Sequence, residues 1–139
     1  MNIRMRPVSR VVLWLIVLLV LASCAGTGGI PRNPFADITV PDSFLPYSDR
    51  WLFIKSPTVT AAKLVYMTQL DMDGAVAAVR AALVKDGWRP QGVNHSVSGD
   101  GFKMVSLDFV KGEDTCRATV IEGAGATHVD LAVARLTRK

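Results

Sequence analysis

Histidine and cysteine are almost absent from this chain, with two of each in 139 residues. Cys24 and Cys116 allow at most one disulfide, and no His/Cys spacing matches a zinc site. No acidic residue precedes the apolar run at 11–22, where Arg4, Arg6 and Arg10 supply the charge. No dense Lys/Arg run interleaved with aromatics occurs, so the electrostatic footprint of a nucleic-acid binder is missing. Nor is there a long hydrophobic run: Val11 to Ala22 would rise only about 18 Å as a helix, against a hydrocarbon core of roughly 30 Å.

What is present begins with a three-part leader. A basic head (Asn2 to Arg10) is followed by the apolar stretch and then by the small residues Ala22, Ser23, Ala25 and Gly26, the layout of an export signal. Without residues 1–23 the chain has 13 Lys plus Arg against 12 Asp plus Glu, so most of its formal charge of +4 belongs to the leader. Three fates fit these residues: cleavage before Cys24 with lipid attachment, cleavage after Ser23-Cys24-Ala25 with release of a soluble protein, or retention as a tilted signal anchor.

Leu21-Ala22-Ser23-Cys24 resembles the lipobox of bacterial lipoprotein precursors. That resemblance implies cleavage before Cys24, acylation of its sulfur, and a membrane anchor of at least two chains such as palmitate, enough for stable attachment. Ala25 rather than Asp after the cysteine resembles the signal for the outer membrane, facing the periplasm. Cys116 is then alone and is expected to be a small buried hydrophobe. The division implied is a signal peptide at 1–23, a lipid-anchored flexible tether at 24–46 and a globular domain at 47–139. Gly26, Gly28, Gly29, Pro31, Pro34, Pro41 and Pro46 suit a tether, since proline lacks a donor and glycine is costly to order. Phe35, Phe44 and Tyr47 suggest that its later part docks on the domain.

Within the domain, 51–55 and 61–70 read as strands around the turn at Pro57. A helix follows, with Asp71 as N-cap, Asp73 in the first turn, Lys85 in the last and Gly87 at the left-handed stop. Met72, Val76, Val79 and Leu83 form its apolar stripe, flanked by Ala75 and Ala82. The period then changes to 2 in 88–97, 102–110, 115–122 and 127–136, separated by turn-forming SGDG, KGED and GAGA. Alternation places Val105, Leu107, Phe109, Cys116, Ala118, Val120, Val129, Leu131 and Val133 on one face. Met104, Ser106, Asp108, Thr115, Arg117, Thr119, His128 and Asp130 fall on the other. The expected fold is an α+β two-layer sandwich, an antiparallel meander packed on a single helix in the order ββαββββ. This order resembles small bacterial envelope lipoproteins with no assigned activity.

Residues with catalytic potential are sparse. His128 and Asp130 share a strand face but show no third ligand, and His95 lies in a weak strand. No G-x-S-x-G elbow, phosphate loop or calcium loop is present. The expectation is a non-enzyme with neither cofactor nor metal. On the helix, Gly74, Ala77, Ala78, Ala81 and Val84 lie opposite the stripe with few charges besides Asp73 and Lys85. They form a candidate surface for an envelope protein partner, or reflect only the helix preference of alanine. The other functional expectation is an apolar or amphipathic ligand held between helix and sheet.

Overall fold

The computed structural model describes residues 35–47 and 51–137. Seven strands form one antiparallel sheet: β1 (Leu45–Pro46), β2 (Leu52–Lys55), β3 (Val59–Thr68), β4 (Arg89–Val97), β5 (Lys103–Lys111), β6 (Asp114–Glu122) and β7 (Thr127–Leu136). Helix α1 (Met72–Lys85) joins β3 to β4. The spatial order is β1-β3-β7-β6-β5-β4, with β2 sharing the same edge of β3 as β1. The α+β sandwich of order ββαββββ is therefore present, with β1 as a short addition ahead of it.

Local chemistry sets the helix ends. The Asp71 carboxylate accepts from the Gly74 backbone N–H at 2.8 Å, satisfying a donor that the helix leaves free. Gly87 has φ +86°, which spares the left-handed stop a Cβ clash, and its N–H donates to the Val84 carbonyl. The buried line is Ala75, Val79 and Leu83, with Met72, Val76 and Ala78 partly buried beside it. The stripe is thus rotated from the one expected: Ala75 replaces Val76 at its centre.

The nine residues assigned inward on β5, β6 and β7 are all buried. They meet α1 together with Ala62, Leu64 and Tyr66 of β3 and with Trp88, which is 1% exposed. A helix is only about 10–12 Å across, whereas six strands abreast span about 24 Å between their outer axes. One helix cannot cover such a sheet.

Residues 35–44 supply the missing cover. Phe35, Ile38, Val40 and Phe44 are buried in the same core, and Phe44 stacks tilted on Tyr66 at 6.4 Å between ring centroids. Short turns, Ile38 N–H to Phe35 O and Phe44 N–H to Pro41 O, let this proline-interrupted segment pack without a ladder. The packed unit consequently begins no later than Phe35, and residues 35–46 are not a flexible tether. Apolar side chains outweighed the proline and glycine signal, each large buried one contributing about 2–3 kcal/mol. The far edge stays bare: β4 is exposed throughout.

Candidate functional site

Cys24 and the leader lie outside the described residues. Among the described residues, no helix is long and apolar enough to cross a membrane.

The proposed partner strip on α1 is only partly free. Ala77, Ala81 and Val84 are exposed, but Ala78 packs against the core and Gly74 is half-buried. Gly74 has a local reason to be glycine, because a Cβ there would meet Asp71 Oδ1 at 2.8 Å. Arg80, overlooked in the sequence reading, also stands on the exposed side. What remains is an open hollow of about 430 Å³ lined by Asp73, Val76, Ala77, Arg80, Ala81 and Val84, with a charge of each sign along it.

Between helix and sheet the buried side chains form one core cluster. An apolar trough of about 640 Å³ lies instead on the opposite, uncovered face of the sheet. Its floor follows from register. Ala61 opposes Ala134, which opposes Thr115, which opposes Val110; in the next row Lys63, Ala132, Arg117 and Asp108 follow one another. Three alanines on the central strands leave a depression, and Leu52 and Ile54 of β2 raise one rim. Charges on this face are paired locally: Lys63 with Asp130 at 2.9 Å, and Arg117 Nε with Asp108 at 2.6 Å. The alternating small residues Ala132 and Ala134, beside Ala61, were the signal in the sequence that could have revealed it.

The histidine and carboxylate singled out earlier serve separate neighbours. His128 meets the edge of the Tyr47 ring at 5.8 Å and 89°, while Asp130 is held by Lys63. His95 lies exposed on β4, away from both. Among the described residues no group of three His, Cys, Asp or Glu side chains is placed to share a metal. Cys116 is buried on β6, and desolvation pushes its thiol up from 9.0 to about 12, so it stays protonated at neutral pH.

A denser polar cluster gathers where β7 ends. Arg135 reaches Asp37 at 2.7 Å and lies 3.8 Å from Asp114, with its guanidinium carbon 4.6 Å from the Phe35 ring centroid and 5.9 Å from that of Trp88. Lys111 lies 3.5 Å from Asp37 and donates to the Asp86 carbonyl at 2.8 Å. The Asp86 carboxylate accepts from the Thr39 backbone N–H and, at 2.9 Å, from its hydroxyl. The contacts made by Phe35, Asp37 and Thr39 tie residues 35–44 to the sheet and the helix end, so the cluster works as a clasp.

No protein-family model matches the chain, and no curated protein matches it in sequence.

Proposed function

We propose that this protein is a lipid-anchored component of the bacterial cell envelope, held through Cys24 on the periplasmic side of the outer membrane. Its α+β domain acts as a non-enzymatic accessory or assembly module that contacts another envelope protein. The single observation behind the anchor is Leu21-Ala22-Ser23-Cys24 in register after a basic head and apolar run. The exposed part of α1, Ala77, Ala81 and Val84, is the surface offered to the partner, with Asp73 and Arg80 setting orientation. Small side chains there permit close approach, and the two charges discriminate among partners.

Labelling of the native host with a clickable palmitate analogue tests the anchor. Wild-type protein is expected to take up label and sediment with membranes, and Cys24→Ser to lose both; equal membrane partition of the two overturns the anchor. A photo-crosslinker at position 81 tests the contact: one discrete adduct with an envelope protein supports it, and its absence in intact cells sinks it.

A second reading is favoured by the trough on the uncovered sheet face, whose volume and apolar rim suit an apolar or amphipathic ligand. Ala132→Trp would fill it. Loss of binding of a fluorescent fatty acid on that substitution is the outcome this reading requires.

A further inference from the structure

We infer that β2 is a membrane-seating edge: Trp51, Leu52, Phe53 and Ile54 rest on the lipid surface to which the chain is tied. This rests on the anchoring of Cys24 proposed above and adds the orientation of the domain.

All four residues of β2 are exposed, at 56% for Leu52, 42% for Phe53 and 52% for Ile54, and Leu136 is 55% exposed. Leu136 of β7 opposes Val59, across β3 from β2, and adds an exposed apolar side chain at that end of the sheet. A bare apolar edge strand invites association with another surface.

The path of the chain points to lipid as the occupant. Phe35, the first of the described residues, lies against Phe53 with ring centroids 6.4 Å apart. The chain that leads to Cys24 therefore reaches the domain beside β2. Only ten residues separate Cys24 from Phe35, eleven steps that span at most about 40 Å when fully extended. An anchor at Cys24 therefore holds Phe35, and the patch beside it, close to the membrane.

The side chains suit an interface. Trp51 combines a large apolar ring with an N–H that hydrates at headgroup level. Lys55 at the end of β2 is exposed, and its ammonium can reach anionic headgroups along an apolar stem. Depth is limited by the backbone: among the described residues β2 pairs only with β3, so the polar groups of its other edge need water and stay out of the hydrocarbon core. Seating is shallow.

The test uses the mature lipoprotein in vesicles of phosphatidylethanolamine and phosphatidylglycerol whose acyl chains carry bromine near the headgroup or deep in the chain. Cleavage before Cys24 leaves two tryptophans, Trp51 and the buried Trp88. The expected result is quenching of the Trp51 component, stronger with shallow bromines, and its disappearance in Trp51→Phe. Leu52→Asp with Ile54→Asp should abolish the quenching while Trp88 emission reports an intact core; if that variant unfolds, Leu52→Ser serves instead. Unchanged Trp51 emission in attached protein overturns the proposal. So does its replacement by crosslinks from position 51 to a second copy or to another protein. Mass analysis of the N-terminal peptide reads acylation separately. If Cys24 proves unmodified, the anchor fails, and quenching of the same chain added to preformed vesicles still decides the role of β2.

Discussion

Arg135 lies over the ring of Phe35 at 4.6 Å, joining the last strand of the sheet to the segment that covers it. The two are a hundred positions apart in the chain. The same guanidinium holds Asp37 at 2.7 Å, so ring and carboxylate bind it from the same segment.

Arg135→Ala is therefore expected to destabilise the domain by about 2 kcal/mol, combining a partly buried cation–π contact with a half-shielded ion pair. Arg135→Lys should recover less than half of that, because an ammonium cannot lie flat on Phe35 while reaching Asp37. Urea denaturation of the three proteins gives the comparison; a lysine variant as stable as wild type would show that charge alone matters.

The clasp weakens in acid. Burial by itself raises the Asp37 carboxyl, but the hydrogen bond and charge of Arg135, with Lys111 adding, outweigh it and hold the group below its ordinary 3.8. The folded state thus binds fewer protons than the unfolded one, and the stabilisation is complete above about pH 4 and lost as pH falls through the lowered value. The side chain is 42% exposed, so solvent screening keeps the effect under about 1 kcal/mol. Asp37→Asn should be slightly less stable than wild type at neutral pH, with the gap closing in acid. A gap independent of pH would assign its cause to packing.

Asp71 and Gly74 should be strongly non-additive. Asp71→Ala removes the cap and is expected to cost about 1 kcal/mol. Gly74→Ala ordinarily gains about 1 kcal/mol inside a helix, but here the new Cβ would sit 2.8 Å from Asp71 Oδ1. The gain is expected only when Asp71 is also alanine, and a double-mutant cycle on thermal midpoints measures the coupling.

Alkali should act through Cys116. Its thiol, pushed up to about 12 by burial, keeps its proton in the folded state, whereas the unfolded chain ionises from about 9. Stability is unaffected below pH 9 and declines between 9 and 12, by on the order of a few kcal/mol in total. Cys116→Ala should flatten that decline, at the cost of a small cavity of about 1 kcal/mol at neutral pH. Native protein should react with a thiol reagent only as fast as it unfolds; rapid reaction at neutral pH would contradict the burial argument.

Much of the fold was legible because local rules were unopposed. Val105, Leu107 and Phe109 alternate cleanly, and Asp71 and Gly87 mark the helix ends. The helix stripe was read one step off, since Ala75 and Val76 are equally apolar by pattern and only the opposing sheet decides which goes under. The candidate strip lost Ala78 to the core for the same reason. The trough was missed because the signal of Ala132 and Ala134 is weak until their neighbours across three strands are known.

By itself the sequence determined which residues share a face and where the helix starts and stops, since each depends on spacing within about ten residues. Only the tertiary structure decided that residues 35–44 cover the half of the sheet the helix cannot reach. It also decided that Phe35 meets Arg135 and Phe53, and that β2 is left bare. Those outcomes turn on matching the area of one layer to another, a property of the assembled sheet that no local pattern encodes.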